Sequence, residues 1–243
     1  MTNSEFLNTI KHSFFSYLEV RTSRSTAKLK SLHGDIASDI ANNLGCGYSI
    51  KSQGYGDSKE GKLMGRYYHK NVDITIRRGN ESITGYSIKF VVRNYSQNSN
   101  NYFENMLGET ANIKSANIPY FQIIIMLDKI PYFKKEGKFK RWDIVTEHNL
   151  EKYITMSKDD PEKYFHTPNK TLIVLLHLKD RPCGVFTDEN NYAEYYLALR
   201  NINDLIGYSD KFKKNFENKN RANTIYNDYE IFFTKTCHLI KSI

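Results

Sequence analysis

The stretch that decides the fold runs from Asn71 to Asn112 and reads NVDITIRRGNESITGYSIKFVVRNYSQNSNNYFENMLGETAN. It opens with Val72, Ile74 and Ile76 alternating with Asp73, Thr75 and Arg77, the period of a half-buried strand. A polar turn around Gly79-Asn80-Glu81 leads to a second run, Tyr86 to Val92, with Tyr86, Ile88 and Phe90 on one face and Ser87, Lys89 and Val91 on the other. The two runs have the spacing of a β-hairpin. A three-residue loop predicts Asp73 opposite Ser87, with Lys89 diagonal on the same face. A two-residue loop predicts Asp73 and Lys89 on opposite faces, because a one-residue slip turns every side chain over.

An acid and a lysine facing each other from adjacent strands suit metal-assisted hydrolysis of a phosphodiester. Asp73 would anchor a divalent cation, the Ile88 carbonyl would add an oxygen ligand, and Lys89 would orient or deprotonate a water. One carboxylate is seldom enough, and the helical pattern from Asn98 to Ser115 adds Glu104 and Glu109. The structural alternative is an exposed strand carboxylate paired with Lys89.

The arrangement resembles the PD-(D/E)xK nuclease superfamily, and within it the type II restriction endonucleases. Asp73 matches the first motif acid, preceded by Val72 where the motif name has proline, and Ser87-Ile88-Lys89 matches the second half-motif. Serine replaces the usual Asp or Glu there, which removes a metal ligand. A branch of restriction enzymes is similar in this respect, with the missing acid displaced to the following helix. The resemblance implies Asp73, Lys89 and Glu104 as catalytic residues, with Mg²⁺ held by Asp73, the Ile88 carbonyl and Glu104. Glu104 stands fifteen positions after Lys89, slightly beyond that branch's spacing, and Glu109 is the alternative. An early helix in such nucleases often adds an acid, for which Asp35 and Asp39 are candidates. The resemblance further implies double-stranded DNA as substrate, a homodimer on a two-fold site, a separate cognate DNA methyltransferase and an αβββαβ core.

The rest of the chain is read outward from this centre. Its 243 residues, 40% hydrophobic, suit one large domain. The expected fold class is α/β: a mixed central sheet flanked by helices, with helical parts over 1–45 and 181–243 around a catalytic core over 46–180. The net charge of +8 favours a polyanionic partner. Cys46, Cys183 and Cys237 are odd in number and far apart, which excludes a disulfide framework or zinc ribbon, and each reads as a small buried hydrophobe. The start of the chain shows no secretory pattern, and the apolar runs are too short to span a bilayer, so a cytoplasmic protein without a membrane partner is expected.

Before the hairpin, helices are expected over 4–18 and 25–44, then a strand at 48–51 and a glycine-rich loop. Lys59, Lys62, Arg66 and Lys70 in that loop, interleaved with Tyr55, Tyr67 and Tyr68, are candidates for phosphate contacts. After the hairpin, Arg93, Asn94, Gln97 and Asn98 form a polar run able to reach base edges. Tyr120 to Leu127 and Thr171 to Leu178 read as central strands apolar on both faces, with His177 as a core histidine. Between them Lys138, Lys140 and Arg141 belong to a basic loop with Tyr132, Phe133, Phe139 and Trp142, read as facing DNA, followed by a helix from Thr146. Helices close the chain over 191–206, 210–218 and 224–240, where Lys211, Lys213, Lys214, Lys219 and Arg221 make a second basic region. Two rival readings remain: a repair or structure-selective nuclease, and a DNA-binding protein without catalysis.

Overall fold

A computed structural model of the chain describes residues 1–20, 27–56, 59–179, 186–216 and 223–243. Cys183, Lys219 and Arg221 lie outside the described residues. The architecture is α/β, a mixed seven-stranded sheet flanked by helices, with helical segments at both ends of the chain. Helices α1 (Asn3–Val20) and α2 (Ala27–Leu44) lead into β1 (Ser49–Ser52). A two-stranded sheet follows, β2 (Gly61–Met64) and β3 (His69–Val72), before β4 (Ile74–Arg78) and β5 (Glu81–Val91) form the long hairpin. Helix α3 (Tyr95–Lys114) then crosses to β6 (Tyr120–Leu127), which runs parallel to β5. The expected order α, β, β, β, α, β is therefore present as α2, β1, β4, β5, α3 and β6.

The second apolar strand, β9 (Lys170–Leu178), pairs parallel with β6. Between them lie β7 (Lys129–Phe133), β8 (Phe139–Ile144) and α4 (Glu147–Met156). The basic run expected as a loop is mostly a β-hairpin, in which Ile130, Phe133 and Asp143 are buried and Lys140 and Arg141 are exposed, with an irregular register between Tyr132 and Phe133. Beyond β9 come α5 (Glu189–Ala198), β10 (Ile206–Tyr208), α6 (Lys213–Phe216), β11 (Thr224–Tyr226) and α7 (Tyr229–Lys241). The last third is thus less helical than expected. β10 runs antiparallel along Leu176–Leu178 and β11 parallel along Thr171–Ile173, so both share the far edge of β9. His177 is exposed rather than a core residue, its Nδ1 3.2 Å from Asp128 Oδ2. Cys46 is also exposed, whereas Cys237 is buried and its thiol is pushed up to about 12 by that burial.

One face of the sheet, carrying Tyr86, Ile88, Phe121, Ile123 and Ile125, packs into the main core with α1, α2 and α7. Tyr86 meets Phe232 of α7 edge-on, and Phe6 of α1 stacks on Tyr229 at 4.2 Å. The other face is covered by α3 and by the β2–β3 pair, where Leu63, Val72, Ile113 and Tyr120 form a small separate cluster. No helix among the described residues is long and apolar enough to cross a membrane.

The hairpin register settles the question left by the loop. Arg78 pairs Glu81, which makes Gly79-Asn80 a two-residue turn with Gly79 at a left-handed φ of 58°. Arg77 pairs Ser82 but Ile76 pairs Thr84, so Ile83 is a bulge. The extra residue undoes the flip that the short turn would impose, and Ile74 faces Tyr86. Asp73, one residue further on, therefore comes opposite Ser87.

Candidate active site

Asp73 sits at the bend between β3 and β4, where the ladder to β5 ends. Its carboxylate takes the place of a ladder partner: Oδ2 accepts a hydrogen bond from the Ile88 N–H at 2.6 Å. The N–H and C=O of one strand residue point to the same side, so the Ile88 carbonyl faces the same edge as Asp73. Burial pushes the Asp73 carboxyl up to about 6, against the pull of the Ile88 N–H, Lys89 and the Ser87 hydroxyl and with the added push of Glu109.

Ser87, Lys89, Glu104 and Glu109 line one cavity of about 340 Å³ beneath α3, together with Gln122, Tyr68 and Lys70. The two helix acids differ in what they do there. Glu109 raises the Asp73 carboxyl and is held by the Tyr120 hydroxyl and by Lys70, whose Nζ lies 2.7 Å from Oε2. Glu104 is exposed on the cavity rim, and the charge it acts on is Lys152. The placement favours Glu109 over Glu104 as the acid that acts with Asp73. Five residues along a helix turn the chain by about 140°, which puts the two carboxylates on different sides of α3.

The early-helix acids are elsewhere. Asp35 accepts from Thr9 at 2.9 Å, and Asp39 binds the Met1 amino group at 2.6 Å and the Tyr229 hydroxyl at 2.9 Å, ties that join α1, α2 and α7. The acid that reaches Asp73 from this part of the chain is Glu60, at the start of β2. Its carboxyl is raised by burial and by Asp73, and Gln53 Nε2 donates to it at 3.0 Å. Beside it His33 is 3% exposed with neither ring nitrogen partnered, and burial pushes its imidazole down to about 4, which keeps it neutral at pH 7.

Gln122 is a residue the sequence reading passed over. It stands opposite Ser87 in the parallel register of β5 and β6, is 1% exposed, and its Nε2 has no hydrogen-bond partner. An unpartnered buried amide costs about 1–3 kcal/mol, and this one borders the cavity that holds Lys89. The signal was present: YFQIIIML is uniformly apolar apart from this glutamine.

The donor set near Asp73 is all oxygen, namely Asp73, Glu109 and the Ile88 carbonyl, and Gln122 adds an amide with spare hydrogen-bonding capacity. Among the described residues no group of three or more His, Cys, Asp and Glu is placed to hold a metal ion. Two carboxylates completed by a carbonyl and waters fit Mg²⁺, which keeps several waters when bound.

The expected DNA contacts divide into two groups. Lys62, Arg66, Lys138 and Lys140 are exposed. Arg141 is exposed as well but bound to Asp143 and Ser96, both at 3.0 Å, and Lys140 and Arg141 flank the Tyr132 ring. Arg93 instead forms an ion pair with Glu189. Asn94, at a left-handed φ of 53° ahead of α3, accepts from the Phe133 N–H at 2.8 Å and donates to the Phe133 carbonyl at 3.0 Å. Both ends of its amide are used, so Asn94 clamps β7 to α3 and is not placed to read a base. Asn98 donates to the Asn94 carbonyl, and Gln97 accepts from Tyr132, each at 3.3 Å. A second cavity of about 640 Å³ lies there, bordered by Gln97, Tyr132, Lys134, Lys135 and Lys140.

Comparison with protein-family models, curated proteins and solved structures finds no match to this chain.

Proposed function

We propose that this chain is a Mg²⁺-dependent endonuclease that hydrolyses double-stranded DNA at a short specific sequence, as type II restriction enzymes do, and that it acts as a homodimer. The observation that carries the reading is Asp73: its carboxylate bonds the Ile88 N–H of the strand that delivers Lys89 into the cavity beneath Glu109. A Mg²⁺ bound by Asp73, Glu109 and the Ile88 carbonyl would polarise the scissile phosphate and lower the pKa of a water. Lys89 orients that water and offsets charge as the phosphate becomes more negative. The Gln122 Nε2 donates to a phosphate oxygen or to the water, which satisfies an amide that is otherwise unpartnered. The Ser87 hydroxyl, opposite Asp73 in the register, favours the charged form of its carboxyl. Lys62, Arg66, Lys138, Lys140 and Arg141 supply exposed positive charge for the backbone.

One observation favours the rival binding-only reading: Lys70 and Tyr120 already engage both oxygens of Glu109. Incubation with unmethylated plasmid and phage DNA, in Mg²⁺ or in EDTA, separates the two. Discrete fragments that require Mg²⁺ and vanish with Asp73→Ala and Lys89→Ala are expected. DNA bound but left intact under every condition would sink the catalytic reading.

A further inference from the structure

The segment joining β2 to β3, Gly65 to Tyr68, carries an unusual amount of exposed aromatic surface on a tightly held backbone. Tyr67 is 77% exposed, Tyr68 54% and the adjoining Met64 60%. Isolated exposed tyrosines are ordinary; the backbone beneath these is not. Asn112 of α3 is 3% exposed and makes three hydrogen bonds to the segment. Its carbonyl accepts from the Arg66 N–H at 2.8 Å, its Oδ1 from the Tyr67 N–H at 2.9 Å, and its Nδ2 donates to the Tyr68 carbonyl at 3.1 Å. Gly65 allows this approach, since a Cβ there would lie 2.1 Å from Asn112 Nδ2. A buried polar side chain thus fixes the backbone of two exposed tyrosines.

Their surroundings say what they meet. Tyr68 lines the same cavity as Lys89, Glu109 and Gln122, so a ligand that fills the cavity lies beside it. Lys62 and Arg66 on the same arm are exposed, which suits a polyanion. Aromatic rings on a held backbone beside cationic side chains, here with the Arg66 guanidinium 5.9 Å from the Tyr67 ring centroid, are a recurrent platform for stacking a nucleobase.

We infer that Tyr67 and Tyr68, positioned by Asn112, form a stacking platform for an unstacked or unpaired DNA base next to the phosphate held at Lys89. The inference rests on the nuclease reading for the location of that phosphate, while the stacking itself requires no turnover. The enzyme then engages DNA whose stack is opened at the cleavage site, and Tyr67 and Tyr68 hold the opening.

The test uses the full chain in EDTA, titrated with a matched duplex and with the same duplex carrying one unpaired 2-aminopurine, followed by fluorescence and by filter binding. Tighter binding of the unpaired duplex with quenching of its fluorescence is expected. Tyr68→Ala should weaken that binding about 5- to 150-fold and abolish the quenching, whereas Tyr68→Phe keeps both, because stacking needs the ring and not the hydroxyl. Asn112→Ala, checked for an intact fold by its melting curve, should lose quenching while keeping binding of matched DNA. Equal affinity of Tyr67→Ala, Tyr68→Ala and wild type for the unpaired duplex overturns the inference, as does a loss in Tyr68→Phe as large as in Tyr68→Ala. Absence of any DNA binding overturns the nuclease reading as well, whereas Mg²⁺-dependent cleavage without stacking overturns this inference alone.

Discussion

The two faces of the central sheet are built from the same strands and solve opposite problems. On the side of α1, α2 and α7, β5 and β6 present Tyr86, Ile88, Phe121 and Ile123, each at most 2% exposed and packed in one apolar core. On the side of α3 the neighbouring positions are Ser87, Lys89 and Gln122, with Asp73 and Glu109 at hand, and a cavity takes the place of close packing. The alternation of a β-strand puts one residue in the apolar core and the next beside the cavity. The second face carries groups that destabilise the resting fold: a carboxyl raised to about 6 by burial and a buried amide without a partner. Such costs are expected where a fold keeps groups ready for a ligand.

The contrast can be broken by substitution, taking the largest expected effect first. On the nuclease reading, Lys89→Ala should lower the cleavage rate about 10²- to 10³-fold, the range of a group that stabilises charge developing in the transition state, with little change in the melting temperature. Ile123→Ala, on the opposite face, should do the reverse, costing about 2–5 kcal/mol in denaturant unfolding. Gln122→Leu sits one position from Ile123 and should stabilise the metal-free protein by about 1–3 kcal/mol while slowing cleavage, since it removes an unsatisfied amide. If Gln122→Leu destabilises as Ile123→Ala does, the two faces are not different in kind.

The acids sharpen the comparison. Glu109→Gln should raise the Mg²⁺ concentration for half-maximal cleavage by at least about tenfold, and Glu104→Gln by less than about threefold, because one acid lies in Asp73's field and the other acts on Lys152. Stability against pH tests the burial of Asp73 directly. The Asp73 carboxyl, raised from 3.8 to about 6, holds its proton more tightly in the folded than in the unfolded chain. Between pH 4 and pH 6 the folded state therefore loses stability as pH rises, and above pH 6 the loss is complete. In EDTA, Asp73→Asn should melt higher than wild type at pH 7.5, by an amount equivalent to about 1–3 kcal/mol, with the gap closing toward pH 4. A gap that is constant with pH would mean that Asp73 is not buried as described.

The fold class and the hairpin were legible because strand alternation is a local signal strong over residues 72–91, whereas the common face of Asp73 and Lys89 depends on the turn length and on the bulge at Ile83, which alternation does not announce. β10 and β11 were not, since strands of three residues carry too little pattern to separate from the helices around them. The basic hairpin β7–β8 was obscured by Pro131 and by a charge run that reads as solvated loop. Glu60 reaches Asp73, and His33 reaches Glu60, through packing of β2 against β4 and β5 and of α2 against β1, which no spacing in the sequence announces. Distance along the chain points to Glu104, whereas the position of Glu109 beside Asp73 comes from the packing of α3, which spacing alone does not give.

The bulge at Ile83 makes the hairpin an odd-even counter. Deleting Ile83 would leave every other pair of β4 and β5 in place, with a plain two-residue turn and Asp73 still opposite Ser87. Deleting one residue between Thr84 and Tyr86 has no such neutral outcome, because either the bulge is consumed or Lys89 is carried to the apolar side. Length changes in this hairpin are therefore tolerated by parity and position, and the single supernumerary isoleucine is the slack that lets the turn vary while the site stays in phase.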